Sequence, residues 1–182
     1  DTTVGRLLLD LIASGTAVYS AHTAFDSAAE GINQRLAEGL GLCDIEPLMP
    51  NPEGLGAGRR GRFDSPISLS QLAKRVREFL KIERLQAVGD AGRPILSVAV
   101  ACGAAGEFLG AAQATGCDAM VVGETRFHTC LEAEATGIGL LLPGHFASER
   151  FALETLASVL GRRFPKIECW ASQREQDPIQ WM

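Results

Sequence analysis

The sequence predicts an α/β protein in which mostly parallel sheets are flanked by helices. Two observations support this fold class. Short apolar runs alternate with amphipathic segments through the second half of the chain, and turn-forming residues separate them. Apolar residues also make up 46% of the 182 residues, enough for the core of one compact domain or of two small packed lobes.

In the first half, the spacing of apolar residues predicts three helices and one strand. The first helix has an apolar leucine-rich face, and Gly15 ends it. A short strand over 16–21 and a second helix over 28–40 follow. Residues 50–66 are rich in glycine and proline and form the clearest interruption. A third helix begins after Ser68, whose hydroxyl can cap it.

The second half alternates regularly between the two kinds of element. The predicted strands are 84–88, 95–101, 118–122, 138–142 and 166–170, and the predicted helices are 105–115, 125–136 and 146–162. Ligand sites in parallel sheets lie beyond the carboxyl ends of the strands. We interpret the chain as one domain, 1–182, which can be divided into lobes 1–50 and 84–182 joined by the segment 51–83.

Composition and charge exclude several classes of function. A net charge of −5 argues against a general binder of nucleic acids or anionic membranes. The basic cluster Arg59, Arg60 and Arg62 is therefore predicted to be a solvated loop. The five cysteines are odd in number, widely spaced and without a CxxC pair, as is typical of reduced thiols in a cytoplasmic protein. No apolar stretch reaches membrane-spanning length, and no signal peptide is visible.

Each of the three histidines has a carboxylate four residues away, and each pair lies where an apolar run ends. The pairs are His22–Asp26, Glu124–His128 and His145–Glu149. A spacing of four places two side chains on one face of a helix, where an imidazole and a carboxylate can share a divalent metal ion. A surface helix pair is the simpler explanation for one such pair, but three at strand ends favour a metal site. Nitrogen and oxygen ligands suit zinc, manganese, iron, cobalt or nickel equally.

Longer motifs carry a family resemblance. The segments VYSAHTAFDSAAEGINQRLAEGLGL, GAGRRGRF, ACGAAGEFLGAA, CDAMVVGETRFH and LLPGHFASER follow one another in this order. Together they resemble the Nif-three-like (YbgI-like) dinuclear metal-centre family, whose members are also labelled GTP cyclohydrolase I type 2 homologues. The resemblance runs from about residue 6 to Asp177 and is most specific in the HTAFD and GHFASE motifs.

The resemblance implies a fold of two small, similar lobes with two divalent metal ions in the cleft between them. By motif, Asp26, His145 and Glu149 are the metal ligands, with Glu149 bridging the ions. The matching positions His22, Glu124 and His128 would contact the substrate or shuttle protons without binding the metal. The resemblance also implies a homo-oligomer, a ring-shaped hexamer, that takes a small phosphate-containing substrate.

This chain departs from the family pattern in one respect. The family's remaining ligands come from a tandem His-His pair upstream of the first helix, and no histidine precedes His22 here. Either an upstream segment is missing or the chain is a degenerate member. With three protein ligands, we expect the chain to bind at most one divalent ion tightly.

Two glycine-rich segments have competing explanations. GAGRRG has the form GxGxxG, but it does not follow a predicted strand and therefore fails as a dinucleotide fingerprint. The segment CGAAGEFLGAA turns from a strand into a helix and could bind an anion at free backbone N–H groups. Tight packing of the helix on the strand explains the same glycines equally well.

Three hypotheses for the function remain from the sequence. The first is a metal-dependent hydrolase similar to GTP cyclohydrolase I type 2, acting on a nucleotide or another phosphate-containing molecule. The second is a metal-binding protein without catalysis, such as a metal reservoir or regulatory partner. The third is an interaction module without metal, against which the three histidine–carboxylate pairs argue.

Overall fold

A computed structural model describes residues 2–52 and 54–180 of the chain. The helices are α1 (Thr3–Ser14), α2 (Thr23–Ser27), α3 (Ile32–Gly39), α4 (Leu69–Leu80), α5 (Leu109–Ala114, after a 3₁₀ turn at Gly106–Phe108), α6 (Phe127–Thr136), α7 (His145–Arg150) and α8 (Leu153–Arg163). The strands are β1 (Cys43–Glu46), β2 (Met49–Pro50), β3 (Gly56–Ala57), β4 (Arg59–Ser68), β5 (Gln86–Val88), β6 (Pro94–Ala101), β7 (Ala119–Val122) and β8 (Gly139–Leu142). The predicted domain 1–182 also includes Asp1, Glu53, Trp181 and Met182, which lie outside the described residues.

A six-stranded sheet in the order β1-β4-β6-β7-β8-β5 forms the centre of the molecule. Strands β6, β7 and β8 pair in parallel, whereas β4 and β5 run antiparallel to their neighbours in this group. Because β1 is antiparallel to β4, it runs with the central three strands. The prediction of a mostly parallel sheet flanked by helices is confirmed. Strands β2 and β3 form a separate two-stranded ribbon.

Helices cover both faces of the sheet, and this explains the continuous apolar runs of its central strands. Every residue of β7 and β8 is buried. Within β6, Val98 and Val100 face the core that α3 and α4 complete, and Ala99 and Ala101 face the core that α5 and α6 complete. Successive side chains of a strand point to opposite faces, so two cores share one strand.

Several predicted elements differ from the observed ones. Residues 16–21 and 166–170 form no strand, and the predicted helix over 146–162 divides into α7 and α8. The segment predicted as an interruption contains the ten-residue strand β4. A side chain at Gly61 would lie 2.8 Å from the carbonyl oxygen of Cys43, so glycine here permits β1 to approach β4 closely.

Arg59 is buried, and the prediction of a solvated loop is wrong at this residue. Only 3% of its surface is exposed. The guanidinium donates hydrogen bonds to five acceptors, namely the carbonyl oxygens of Ser27, Ala28, Gly56 and Gly58 and the side-chain oxygen of Gln34. Burial lowers the pKa of Arg59. These bonds fix the end of α2 against the start of β4.

Helix α1 is formed as predicted, but its apolar face is exposed. Thr2 caps its first turn, and Gly15 ends it in the left-handed conformation. None of its residues is buried, and the exposed apolar side chains are Val4, Leu7, Leu8, Leu9 and Ile12. Among the described residues, no helix combines the length and the apolar character needed to cross a membrane.

Removing the cap of α4 should destabilise the fold. The Ser68 hydroxyl accepts a hydrogen bond from the Gln71 N–H at 3.1 Å, and the Gln71 side chain accepts one from the Ser68 N–H at 2.7 Å. We expect Ser68→Ala to lower the free energy of unfolding by about 1 kcal/mol in chemical denaturation. Ser65→Ala, at an exposed serine of β4, is the control. Equal losses in both variants would contradict the capping role.

Replacing Arg59 by lysine should cost more than any change at the neighbouring arginines. Lysine keeps the charge but cannot reach the five acceptors from one planar group, so several buried carbonyl groups lose their donor. We expect Arg59→Lys to lower the free energy of unfolding by about 2–4 kcal/mol. The control is Arg62→Lys, because the Arg62–Asp44 pair is exposed and its change should stay within about 0.5 kcal/mol. Similar values for the two variants would refute the structural role of Arg59.

Candidate metal centre

Three turns meet at the carboxyl ends of the parallel strands. The chain leaves β6 at Gly103, β7 at Gly123 and β8 at Gly144. The Glu124 N–H donates to the Gly103 carbonyl oxygen at 3.0 Å, and the Gly144 N–H donates to the Gly123 carbonyl oxygen at 2.9 Å. The hydrogen-bond ladder of the sheet thus continues past the strands. It places Glu124 and His145, which follow two of these glycines, side by side.

Glycine is required where these turns touch the side chains of α7. A Cβ at Gly103 would lie 2.5 Å from Glu149 Oε1. 

The φ of Gly103, +65°, lies in the left-handed region that favours glycine. A Cβ at Gly123 would lie 2.4 Å from the Ser148 hydroxyl oxygen. That buried hydroxyl accepts a hydrogen bond from the Gly103 N–H at 2.9 Å, so backbone and side chains are in direct contact here.

His145 lies between two carboxylates. Its Nδ1 is 2.8 Å from Glu124 Oε1, and its Nε2 is 3.1 Å from Glu149 Oε1. The hydrogen bond to Glu124 is the main reason why the pKa of His145 is raised, and the charge of Glu149 adds to it. Both carboxylates therefore stabilise the imidazolium form of His145.

Asn33, which was not among the residues predicted for the site, holds Asp26 beside the turn after β6. The Asn33 amide donates to the Asp26 carbonyl oxygen at 3.1 Å and accepts from the Cys102 N–H at 2.7 Å. Asn33 is 3% exposed, so this buried amide joins α3 to the turn after β6. A polar residue beside the apolar positions Ile32 and Leu36 was the only sequence signal for it.

Burial shapes the acidity of the groups in this part of the site. It is the main cause that raises the pKa values of both Asp26 and Glu149. Burial also raises the pKa of the Cys102 thiol, and the nearby Asp26 charge raises it further. The thiol donates a hydrogen bond to Asp26, which favours the ionised carboxylate. Cys102 is thus held as a protonated thiol, which argues against a nucleophilic role.

His22 lies at the start of α2, where its backbone has a φ of 40°. A positive φ is uncommon for a residue other than glycine, and strained backbone conformations cluster at functional sites. The exposed imidazole lines the same cavity as Asp26 and Glu149, and its positive form would lower the pKa of both carboxyl groups. The His22 ring is therefore open to solvent beside the two carboxylates.

Five of the six residues singled out from the sequence line one cavity of about 690 Å³. They are His22, Asp26, Glu124, His145 and Glu149. His128 is exposed on α6 and is not among the residues that line this cavity. The prediction that Glu124 and His128 share a helix face is wrong, because Glu124 precedes α6 and pairs with His145 instead.

The donor set fits a divalent metal ion, although it is not arranged around one. Within residues 2–52 and 54–180, no group of three or more His, Cys, Asp and Glu side chains is set up to hold a metal. Nevertheless, Asp26, Glu149 and His145 supply two carboxylates and one imidazole beside a glycine that leaves room for them. Burial raises the pKa values of the two carboxyl groups, and a bound divalent ion would favour their ionised forms.

The C-terminal segment forms another wall of the cavity, and Arg150 holds it. Ser172, Glu175 and Ile179 line the cavity. The Arg150 guanidinium donates to the Ser172 carbonyl oxygen at 2.6 Å and pairs with Glu175 at 2.6 Å. Arg150 directly follows Glu149, so the candidate ligand and this anchor lie on the same helix. Nothing in the sequence indicates this contact, because the C-terminal segment has no regular secondary structure.

Known proteins resemble this chain in both sequence and structure. A "GTP cyclohydrolase 1 type 2 homolog" from Clostridium acetobutylicum is 32% identical over 152 residues, which are 82% of this chain and 57% of that protein. A "Protein NIF3 homolog" from Schizosaccharomyces pombe is 31% identical over 192 residues, with 97% of this chain and 68% of that protein covered. The chain therefore spans little more than half the length of the clostridial relative.

A solved structure supports the fold independently. The Bacillus cereus protein related to NIF3 superposes with a TM-score of 0.91 at 19% identity, over 100% of this chain and 78% of that one. The family described as Duf34/NIF3 (NGG1p interacting factor 3) matches residues 1–178. This match and the two relatives show that the chain belongs to the Duf34/NIF3 family.

Proposed function

We propose that this chain binds a divalent metal ion through Asp26, His145 and Glu149. The observation that carries the proposal is that His145 and Glu149 approach the turn at Gly103, directly after Cys102, whose thiol bonds to Asp26. Two carboxylates and one imidazole form a common ligand set for zinc, manganese, iron, cobalt and nickel. The donor set does not select among these ions.

Glu124 supports this site by orienting His145. A hydrogen bond from Nδ1–H to the Glu124 carboxylate, at 2.8 Å, directs the lone pair of the neutral ring to Nε2. Nε2 is also the nitrogen nearest Glu149, so the imidazole and this carboxylate present their donors to the same space. Binding would require Nε2 to lose its proton, because a metal ion would use the lone pair that holds it.

The activity that we propose for this site is hydrolysis. A bound divalent ion would supply a Lewis acid and an acidified water molecule. The exposed His22 lines the cavity and could accept a proton from this water molecule. The names of the bacterial relatives agree with a cyclohydrolase-like reaction. A second ion, held more weakly beside Glu149, belongs to the same proposal. Assembly into a hexameric ring stays a prediction.

Removing either carboxylate ligand should remove the metal. We expect the unaltered chain to retain about one ion after dialysis, as in three-ligand sites, and Asp26→Asn and Glu149→Gln to retain much less. Elemental analysis gives the metal content, and circular dichroism verifies that each variant is folded. The controls are Asp64→Asn and Glu132→Gln, at exposed carboxylates outside the cavity. Unchanged metal content in both ligand variants would refute the site.

Loss of the Glu124 carboxylate should weaken metal binding without abolishing it. We expect Glu124→Gln to lower the affinity for zinc or manganese by about 10–100-fold, because the imidazole loses the group that orients it. Calorimetric titration measures the affinity directly. His128→Gln is the matched control, since His128 does not line the cavity. An equal loss in the two variants would show that Glu124 has no special role.

A further inference from the structure

We propose that the cavity beside the candidate metal centre takes an uncharged ligand with an apolar body, and that it discriminates against phosphate-rich molecules such as nucleoside triphosphates. The inference rests on the proposed function only where the ligand's polar head meets the metal ion. The preference for an uncharged, apolar molecule follows from the lining of the cavity. The inferred ligand therefore differs from the phosphate-containing substrate that the family label suggests.

The walls of the cavity are largely apolar. Besides the candidate ligands, they include Phe25, Ile32, Phe146, Leu153 and Leu156. The volume of about 690 Å³ lies within the range of small-molecule sites, which are typically apolar with a few polar groups that fix orientation. An aromatic or aliphatic body would bury these side chains further, whereas a triphosphate would leave them without a partner.

The charged groups of the cavity are almost all acidic. Five carboxylates line it, from Asp26, Glu124, Glu149, Glu175 and Asp177. Among the described residues, the lining contains one arginine or lysine, Arg150. One divalent ion would offset only part of this negative charge. A phosphate group would therefore meet repulsion unless a free cation compensated it.

Arg150 is not available to compensate the charge of a phosphate group. Its Nη1 lies 2.8 Å from Glu154 Oε1, its Nε lies 2.6 Å from Glu175 Oε1, and its Nη2 donates to the Ser172 carbonyl oxygen. All three nitrogens of the guanidinium are thus engaged, and the planar fork that recognises phosphate is occupied. Releasing it would also release the C-terminal wall of the cavity.

Two cations of a neighbouring cavity border a different space. Lys81 and Arg84 line a neighbouring cavity of about 800 Å³. The two cavities share Phe146, Arg150, Asp177 and Ile179, which form a partition between them. The basic side chains are therefore on the far side of this partition from the candidate ligands. A ligand bound at Asp26 and Glu149 has an acidic and apolar environment.

Two probes with the same body test the inference. Naphthamide has an uncharged carbonyl head, and naphthyl phosphate has a dianionic head. We expect the zinc-loaded chain to bind naphthamide at least about tenfold more tightly than naphthyl phosphate in calorimetric titration, because only the phosphate meets the acidic lining. Tighter or equal binding of the phosphate would overturn the inference.

Leucine variants of α8 locate the binding. Leu153→Ala and Leu156→Ala should each weaken naphthamide binding by about fivefold, because part of the apolar contact is lost. Leu160→Ala on the same helix is the control, since Leu160 is exposed and does not line the cavity. Equal effects of all three substitutions would place the probe elsewhere and overturn the inference.

The zinc content of each sample separates this inference from the proposed function. A chain that retains no zinc refutes the metal site, and the two probes are then compared on the metal-free chain. Preference for naphthamide with dependence on Leu153 and Leu156 would still support the inference. Loss of that preference, with zinc bound or without it, would overturn the inference alone.

Discussion

The candidate site depends on the hydrogen bonds that extend the parallel sheet beyond its strands. Gly103 bonds to Glu124, and Gly123 bonds to Gly144, so the three turns keep the spacing of the strands that precede them. Backbone groups in a sheet lie about 4.8 Å apart between neighbours, which brings side chains from successive turns within contact. Glycine permits this because the turns approach both one another and the side chains of α7.

Asp26 comes from a different part of the chain and reaches the site by another mechanism. Helix α2 is only five residues long and cannot be stable alone. Two buried polar groups hold it, Arg59 at its end and Asn33 at Asp26 itself. Both bind backbone carbonyl groups, so they fix the position of the chain and not merely of one side chain. A buried polar group left without its partner costs about 1–3 kcal/mol, which makes this arrangement specific.

Two cations of the cavity each lie between two carboxylates. Glu124 and Glu149 enclose His145, and Glu154 and Glu175 enclose Arg150. The first arrangement keeps a donor set ready for a metal ion, and the second fastens the C-terminal segment over the cavity. Because His145 and Arg150 already pair with carboxylates, the surplus charge around the site is negative. The proposed metal binding and the proposed preference for uncharged ligands both rest on that surplus.

The sequence determined the central strands and most of the candidate site. Continuous apolar runs predict β6, β7 and β8 because both faces of these strands are buried, and that pattern is local. The spacing of His145 and Glu149 correctly predicts a pair because both lie on one short helix. The family motifs identify Asp26 in the same way.

Only the tertiary structure decided the partners that come from distant segments. Strand β4 contains glycine and three arginines and has no apolar alternation, so its neighbours β1 and β6 create it. Arg59 is buried because the acceptors that compensate its charge come from segments up to 32 positions away in sequence. Glu124 pairs with His145 and not with His128, since adjacent parallel strands bring their ends together. Sequence spacing predicts contacts within one helix, whereas contacts between strand ends depend on the order of the strands in the sheet.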